Sequence, residues 1–116
     1  MNSLRTDLSA AWQRWGEVLP LPGSGHTLAR WQVLATVAAQ ELSLVKLFEG
    51  HADALAILAE LGGPAPPAGS LWGTWCAEPP SARVQMMTQP GGELRLDGRK
   101  AWCSGAAQLS HALVSG

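Results

Sequence analysis

The chain has 116 residues, of which 47% are hydrophobic, and it carries a formal net charge of −1. A chain of this length can bury the core of one ordinary domain, but it is too short for a complete multidomain enzyme. Its eight lysines and arginines are scattered along the sequence instead of being gathered into a stripe, which argues against nucleic acid as a partner.

The apolar stretches are short. The longest, residues 52–61, contains two acids and falls below the roughly 20 residues that a membrane span needs, so no transmembrane helix is expected. Residues 1–7 lack the compact apolar core of a secretory signal, which makes a cytoplasmic location the default expectation. Cys76 and Cys103 form no Cys-x-x-Cys pair and the three histidines are isolated. We therefore expect reduced, buried thiols and no metal.

The first 63 residues have the periodicity of helices. Near the start of the chain, apolar residues recur at steps of three and four, which predicts an amphipathic helix that ends at Gly16. The members of this stripe are Leu4, Leu8, Trp12 and Trp15.

A second helix is predicted after residues 19–25, which are rich in Pro and Gly and cannot continue the first. It is predicted to begin at Thr27, with Thr27 or Ser24 as its N-terminal cap. Its predicted apolar stripe consists of Trp31, Leu34, Ala35, Ala38 and Leu42.

A third helix is predicted from Leu44 or His51 to Leu61, and Gly62-Gly63 is its expected stop. Its apolar residues are Leu55, Leu58 and Leu61. The segment that follows, residues 64–70, is rich in Pro and Gly and has the composition of a domain linker.

Short runs with frequent turn signals indicate β-strands after this linker. They are residues 71–77, 83–89, 93–97, 100–104 and 111–115. Gly91-Gly92 and Asp97-Gly98 fall where hairpin turns are expected, and the strict alternation of residues 93–97 is typical of a strand with one dry face. Residues 111–115, the last of these runs, are expected to form a strand with one unpaired edge.

The predicted fold class is therefore α+β. It consists of an N-terminal α-helical domain (residues 1–63), the linker (residues 64–70) and the first strands of a mostly antiparallel β domain (residues 71–116).

Two spaced motifs occur in the predicted β domain. The first is Leu71–Pro79 (Leu-Trp-Gly-Thr-Trp-Cys-Ala-Glu-Pro), and the second, about twenty residues later, is Leu96–Ala106 (Leu-Asp-Gly-Arg-Lys-Ala-Trp-Cys-Ser-Gly-Ala). Together they resemble the middle β domain of the acyl-CoA dehydrogenase family, where a strand ending in Thr-Glu-Pro precedes a Leu-x-Gly-x-Lys-x-Trp-Ile-(Thr/Ser) strand. Residues 41–55 resemble the family's N-terminal domain, in which one helix ends and the next opens at a Gly-His pair, here Gly50-His51.

The resemblance begins at about Leu28 and implies that the chain corresponds to the first third or so of a three-domain enzyme. It implies an antiparallel β-barrel-like middle domain, bound FAD, an acyl-CoA substrate, an electron-transfer acceptor and assembly into a homo- or hetero-oligomer. The implied activity is α,β-dehydrogenation of an acyl-CoA thioester, in which a carboxylate takes the α-proton and the flavin accepts the β-hydride. That carboxylate is expected in a C-terminal helical domain, so this chain alone is expected to be inactive.

The resemblance also implies flavin-binding residues. Trp102 and Ser104 are two positions apart, which places them on the same side of the predicted strand. By resemblance, the indole of Trp102 packs beside the flavin ring, and the hydroxyl of Ser104 reaches its polar edge. The backbone amides of Cys76 and Ala77 are the further donors expected at the flavin.

The first motif departs from the family pattern. Ala77 stands where the family commonly has Thr, so one hydroxyl contact to the flavin is lost. The loop after Glu-Pro is shortened, and in it Ser81 and Arg83 are the residues expected to approach a phosphate of the substrate or flavin.

Two other functions stay open. The departures at Ala77 and in the shortened loop are also typical of a non-catalytic or assembly subunit, or a truncated homologue, that binds no flavin. The second open function is that of a flavin monooxygenase on the same scaffold, because Trp102 and Ser104 do not distinguish hydride abstraction from oxygen activation. His51 is expected to pack locally instead of acting as a base, and Glu78 to make a structural hydrogen bond.

Overall fold

A computed structural model describes residues 3–116, in which three helices precede four short strands. The helices are α1 (Leu4–Trp15), α2 (Thr27–Gln40) and α3 (Leu42–Glu60). The strands are β1 (Trp72–Trp75), β2 (Val84–Thr88), β3 (Leu94–Gly98) and β4 (His111–Val114). The predicted α+β class is confirmed.

Local signals set most helix ends where the sequence predicts them. The hydroxyl of Ser3 accepts a hydrogen bond from the backbone N–H of Thr6, which caps α1, and α1 ends at Gly16 as predicted. α3 ends beside Gly62, whose φ of 65° is favourable for glycine, and the N–H of Gly63 returns to the carbonyl of Leu58.

The start of α2 corrects one prediction. The helix begins at Thr27 as predicted, but its N-cap residue is His26, and no side chain caps it. The predicted caps Thr27 and Ser24 are therefore wrong.

One buried core joins the three helices to the first strand. It consists of Leu8, Ala11, Val37, Leu44, Leu47, Phe48 and Leu71. α3 lies at its centre and packs against α1, α2 and β1. Because Leu71 precedes β1 directly, burial of this side chain fixes the strand to the helices, with a gain of about 1.5–3 kcal/mol for a fully buried side chain of this size.

The buried face of α2 is rotated from the predicted stripe. Arg30 and Val37 are buried, whereas Trp31 is 63% exposed. The guanidinium of Arg30 donates to Asp53 on α3 at 3.0 Å and to the carbonyl of Pro20 at 2.9 Å. This ion pair satisfies the buried charge and turns Arg30, instead of Trp31, toward the core.

α3 is a single helix through the Gly50-His51 pair. The prediction of a helix end there is wrong. Of the predicted stripe, Leu55 and Leu58 are half-buried, whereas Leu61 lies beyond the last helical residue and is exposed. The buried residues of α3 are Leu44, Leu47, Phe48, His51, Ala52 and Ala54.

β1 and β4 form a parallel pair, with Trp72 opposite His111 and Trp75 opposite Val114. The predicted antiparallel arrangement is wrong for this pair, since the long segment between the two strands lets β4 return in the same direction. The N–H groups of His111 and Ser115 donate to the carbonyls of Leu71 and Trp75. Because the backbone groups of alternate residues in a strand point to opposite edges, Trp72 and Thr74 turn theirs toward the other edge of β1.

α3 covers this other edge of β1. The N–H of Trp72 donates to Nδ1 of His51 at 3.0 Å, and the hydroxyl of Thr74 donates to the carbonyl of Gly50 at 2.8 Å. An uncovered edge would leave these polar groups without partners in a partly buried position.

β2 and β3 form the predicted antiparallel hairpin across Gly91-Gly92, with Met86 opposite Leu96. Its apolar face, formed by Met86, Leu94 and Leu96, is exposed, so the predicted dry face is not covered within residues 3–116. An isolated two-stranded hairpin is marginally stable in water.

The strand predicted over residues 100–104 does not form, and Asp97-Gly98 is consequently not a hairpin turn. Trp102 has a φ of 55°, which is outside the extended region, and the segment from Ser104 onward turns. Lys100 is half-buried, and its Nζ donates to the carbonyl of Ala77 and to Ser115 Oγ, both at 3.1 Å.

Replacement of Gly98 by Ala is expected to unpair this hairpin. Gly98 has a φ of 133°, and an added Cβ would lie 2.1 Å from the carbonyl oxygen of Arg83. The combined strain and clash should cost at least about 2 kcal/mol, which lowers the ratio of paired to unpaired hairpin about thirtyfold and should remove the amide-exchange protection of β2 and β3. Gly91→Ala is the control, because Gly91 also has a positive φ but an added Cβ there meets no atom within 4 Å. Equal exchange rates in the two variants would contradict the role of the Gly98 contact.

Candidate functional site

Trp102 and Ser104 line one small cleft, which we call the Trp102 cleft. Its wall consists of Lys46, Leu47 and Gly50 from α3, residues 72–75 of β1, and Trp102, Ser104 and Leu109. The structure thus brings the two predicted flavin residues together, although the strand expected to align them is absent.

Close packing holds the 102–109 segment against α3 and β1. The indole N–H of Trp75 donates to the carbonyl of Ser104 at 3.2 Å. Gly105 has a φ of 76°, and an added Cβ there would lie 2.4 Å from the side chain of Leu47. Only glycine lets the segment approach the helix this closely, so the position of Ser104 depends on its neighbour.

Trp102 is the most unusual residue of the cleft. It is the one non-glycine residue with a positive φ among residues 3–116, and its side chain is 73% exposed. Such a backbone costs about 1–3 kcal/mol, and such strain is frequent at binding sites. An exposed indole offers a flat apolar face on which a ring system can stack.

The cleft is small compared with a flavin. It encloses about 70 Å³, little more than twice the roughly 30 Å³ that one water occupies, whereas ligand pockets usually measure about 300–1,000 Å³. The described residues therefore fit the edge of an isoalloxazine ring and one of its faces, and they do not enclose the ring.

The other predicted site residues lie outside this cleft. Cys76 and Ala77 follow β1, and Ser81 and Arg83 are exposed in the segment before β2. The thiol of Cys76 is free and exposed, so the prediction of a buried thiol is wrong there, while Cys103 is half-buried.

Two cleft residues were missed by sequence reasoning. Lys46 supplies a positive charge, which an exposed ion pair with Glu49 at 3.9 Å partly balances, and its place on α3 gives no local signal for this role. Thr74 supplies a hydroxyl three positions before Ala77, but this group already donates to the carbonyl of Gly50.

His51 is buried in the middle of α3, with 1% of its surface exposed. Its Nδ1 accepts the N–H of Trp72, which places the proton of the neutral ring on Nε2. Burial lowers the pKa of His51 to about 4, because no carboxylate compensates the desolvated cation. The ring accepts a hydrogen bond within the fold, and its centroid lies 4.4 Å from that of the Trp12 indole. This buried position does not suit a general base.

A larger cavity of about 520 Å³ lies elsewhere, between residues 21–24 and α3. Among residues 3–116, no group of three or more His, Cys, Asp or Glu side chains is arranged to hold a metal ion. In the same part of the chain, no helix has both the length and the apolar character needed to cross a membrane.

Comparison of the chain with family models, with curated proteins and with solved structures gives no match.

Proposed function

We propose that the chain is part of an FAD-dependent enzyme of the acyl-CoA dehydrogenase type, which catalyses α,β-dehydrogenation of an acyl-CoA thioester. The observation that carries this proposal is the pairing of an exposed, backbone-strained indole with a hydroxyl in one cleft. The two motifs at residues 71–79 and 96–106 support it through their resemblance to that family.

The chemistry of the cleft suits the edge of a flavin. The indole of Trp102 would cover part of one ring face, and the Ser104 hydroxyl, which has no hydrogen-bond partner among residues 3–116, would donate to the polar edge. Lys46 on the same wall favours the negative charge of a reduced ring. When bound, the flavin supplies the hydride acceptor, while the base that takes the α-proton is proposed to lie outside this chain.

The proposed domain arrangement follows the resemblance. Residues 1–63 form the helical domain, residues 64–70 the linker, and residues 71–116 a part of a β-barrel-like domain to which the two small sheets would contribute. Ser81 and Arg83 are proposed to approach a phosphate of the cofactor or substrate, because both are exposed and Arg83 is cationic.

A flavin titration tests this proposal. FAD added to the purified chain is expected to bind with quenched flavin fluorescence, because an indole stacked on the ring quenches it. Trp102→Ala should weaken binding about fivefold, which corresponds to roughly 1 kcal/mol of ring stacking. Trp31→Ala removes another exposed indole, on α2, and is expected to leave binding unchanged.

Two results would overturn the flavin proposal. One is a chain that binds no FAD at millimolar concentration. The other is a chain whose FAD affinity changes equally in the Trp102 and Trp31 variants.

A second candidate function is that of a non-catalytic assembly subunit without flavin. The observation that favours it is the exposed apolar face of the β2–β3 hairpin, formed by Met86, Leu94 and Leu96. Sedimentation analysis distinguishes the two: a colourless chain that associates, and that becomes monomeric in a Leu96→Lys variant, supports the assembly function.

A further inference from the structure

The cavity of about 520 Å³ lies between the segment of residues 21–24 and one face of α3. We call it the Ile57 cleft. Its floor on α3 carries Asp53, Ala56, Ile57 and Glu60 at the i, i+3, i+4, i+7 spacing of a single helix face. The floor is therefore apolar in its middle and has a carboxylate at each end.

Arg30 holds both walls of the Ile57 cleft in place. This buried side chain donates to the carbonyl of Pro20, next to the 21–24 segment, and to Oδ1 of Asp53 on α3. Both walls are thus fixed by one charge-assisted network, and a ligand does not have to order them on binding.

The two carboxylates differ in their charge balance. Arg30 neutralises Asp53 directly. Glu60 has no ion-pair partner among residues 3–116, and it sits in the last turn of α3, where the helix dipole adds partial negative charge. No lysine or arginine lines the cavity in the described part of the chain. The Glu60 end consequently favours a cation.

The length of the floor limits the ligand. Seven residues of helix separate Asp53 from Glu60, which is about 10 Å along the axis, close to the length of an extended chain of eight carbons. Leu21 on the opposite wall is exposed, so it offers apolar surface that such a chain would cover.

We propose that the Ile57 cleft binds an amphipathic organic cation, with its ammonium group at Glu60 and an alkyl body of about eight carbons along Ile57 and Ala56. This site shares Thr74 of β1 with the Trp102 cleft but uses a later stretch of α3, and the proposal does not depend on flavin binding.

Protonated n-octylamine, 1-octanol and octanoate are the probes, the two ions titrated below their micellar concentrations and the alcohol below its solubility limit. Amide shifts at Ser24, Ala56 and Ile57 in NMR spectra are expected to saturate, with octylammonium bound about fivefold more tightly than octanol and octanoate bound more weakly than either. Glu60→Gln should make the octylammonium and octanol affinities equal. Glu93→Gln makes the same charge change on the hairpin, outside the cleft, and should preserve the preference.

Filling the floor should abolish binding of all three probes. Ile57→Trp is the first variant, and Ala56→Leu replaces it if the tryptophan prevents folding. The proposal is overturned if no probe binds, if octylammonium shows no preference over octanol, or if the preference survives in Glu60→Gln.

Discussion

Phe48→Ala is expected to lower the free energy of unfolding by about 4 kcal/mol, the largest effect of any single truncation in this chain. Phe48 has 0% exposure and lies at the centre of α3, between the core residues of the other two helices. The centroid of its ring lies 5.3 Å from the ring centroid of Trp12. Truncation removes the apolar contacts and leaves a cavity that three packed helices cannot close.

Urea unfolding followed by tryptophan fluorescence measures this loss. Leu28→Ala is the matched control, because Leu28 is 68% exposed on α2 and should change stability by less than about 0.5 kcal/mol. Domains of ordinary stability have only about 5–15 kcal/mol in total, so Phe48→Ala should remove between about a quarter and four fifths of the free energy of unfolding. A loss below about 1 kcal/mol would show that Phe48 is not at the centre of the core.

Acid is expected to destabilise the fold through His51. The pKa of His51 is about 4 in the folded chain, below the ordinary value of 6.5, so the unfolded chain binds the proton more readily. Stability is therefore unaffected by this group above pH 6.5, falls as the pH decreases from 6.5 to 4, and reaches its full loss of roughly 3 kcal/mol below pH 4.

The structural consequence of protonation is specific. A protonated Nδ1 can no longer accept the N–H of Trp72, so one of the two hydrogen bonds described between β1 and α3 is lost. The cavity wall beside His51 contributes no other ionisable side chain in residues 3–116; its polar members are Ser9, Gln13 and Ser70. On the far side of the strand, the ring of His111 stacks on that of Trp72, with 4.8 Å between the ring centroids.

The His51→Asn variant distinguishes the effect of His51 from that of His111. The asparagine carbonyl keeps an acceptor near the position of Nδ1 but does not titrate. We expect the stability difference between wild type and this variant to shrink, or to reverse, between pH 7 and pH 4. His111→Asn should show the same acid slope as the wild type in urea unfolding. Parallel slopes for wild type and His51→Asn would exclude His51 as the acid-sensitive group.

Features that depend on neighbouring residues can be predicted from the amino-acid order alone. The end of α1 at Gly16, the stop of α3 at Gly62-Gly63 and the hairpin across Gly91-Gly92 were predicted and are confirmed. At Gly62 and at Gly91-Gly92 the backbone has the positive φ that glycine favours, and at Gly16 a Cβ would clash with the side chain of Trp12. The order of residues contains such local effects directly. The α+β class follows from the same local periodicities.

The burial of individual side chains and the contacts between distant residues depend on the three-dimensional packing of the chain. Arg30 is buried in place of Trp31 because it pairs with Asp53. This partner lies 23 residues further along the sequence, and only folding brings the two together. The segment at residues 100–104 has a strand-like pattern but no strand beside it, and Lys100 bonds to Ala77 instead. The parallel pairing of β1 and β4, and with it the Trp102 cleft, depends on contacts between residues about 40 positions apart. Local preferences cannot specify such contacts, because their free energy comes from partners that only the folded chain brings within reach.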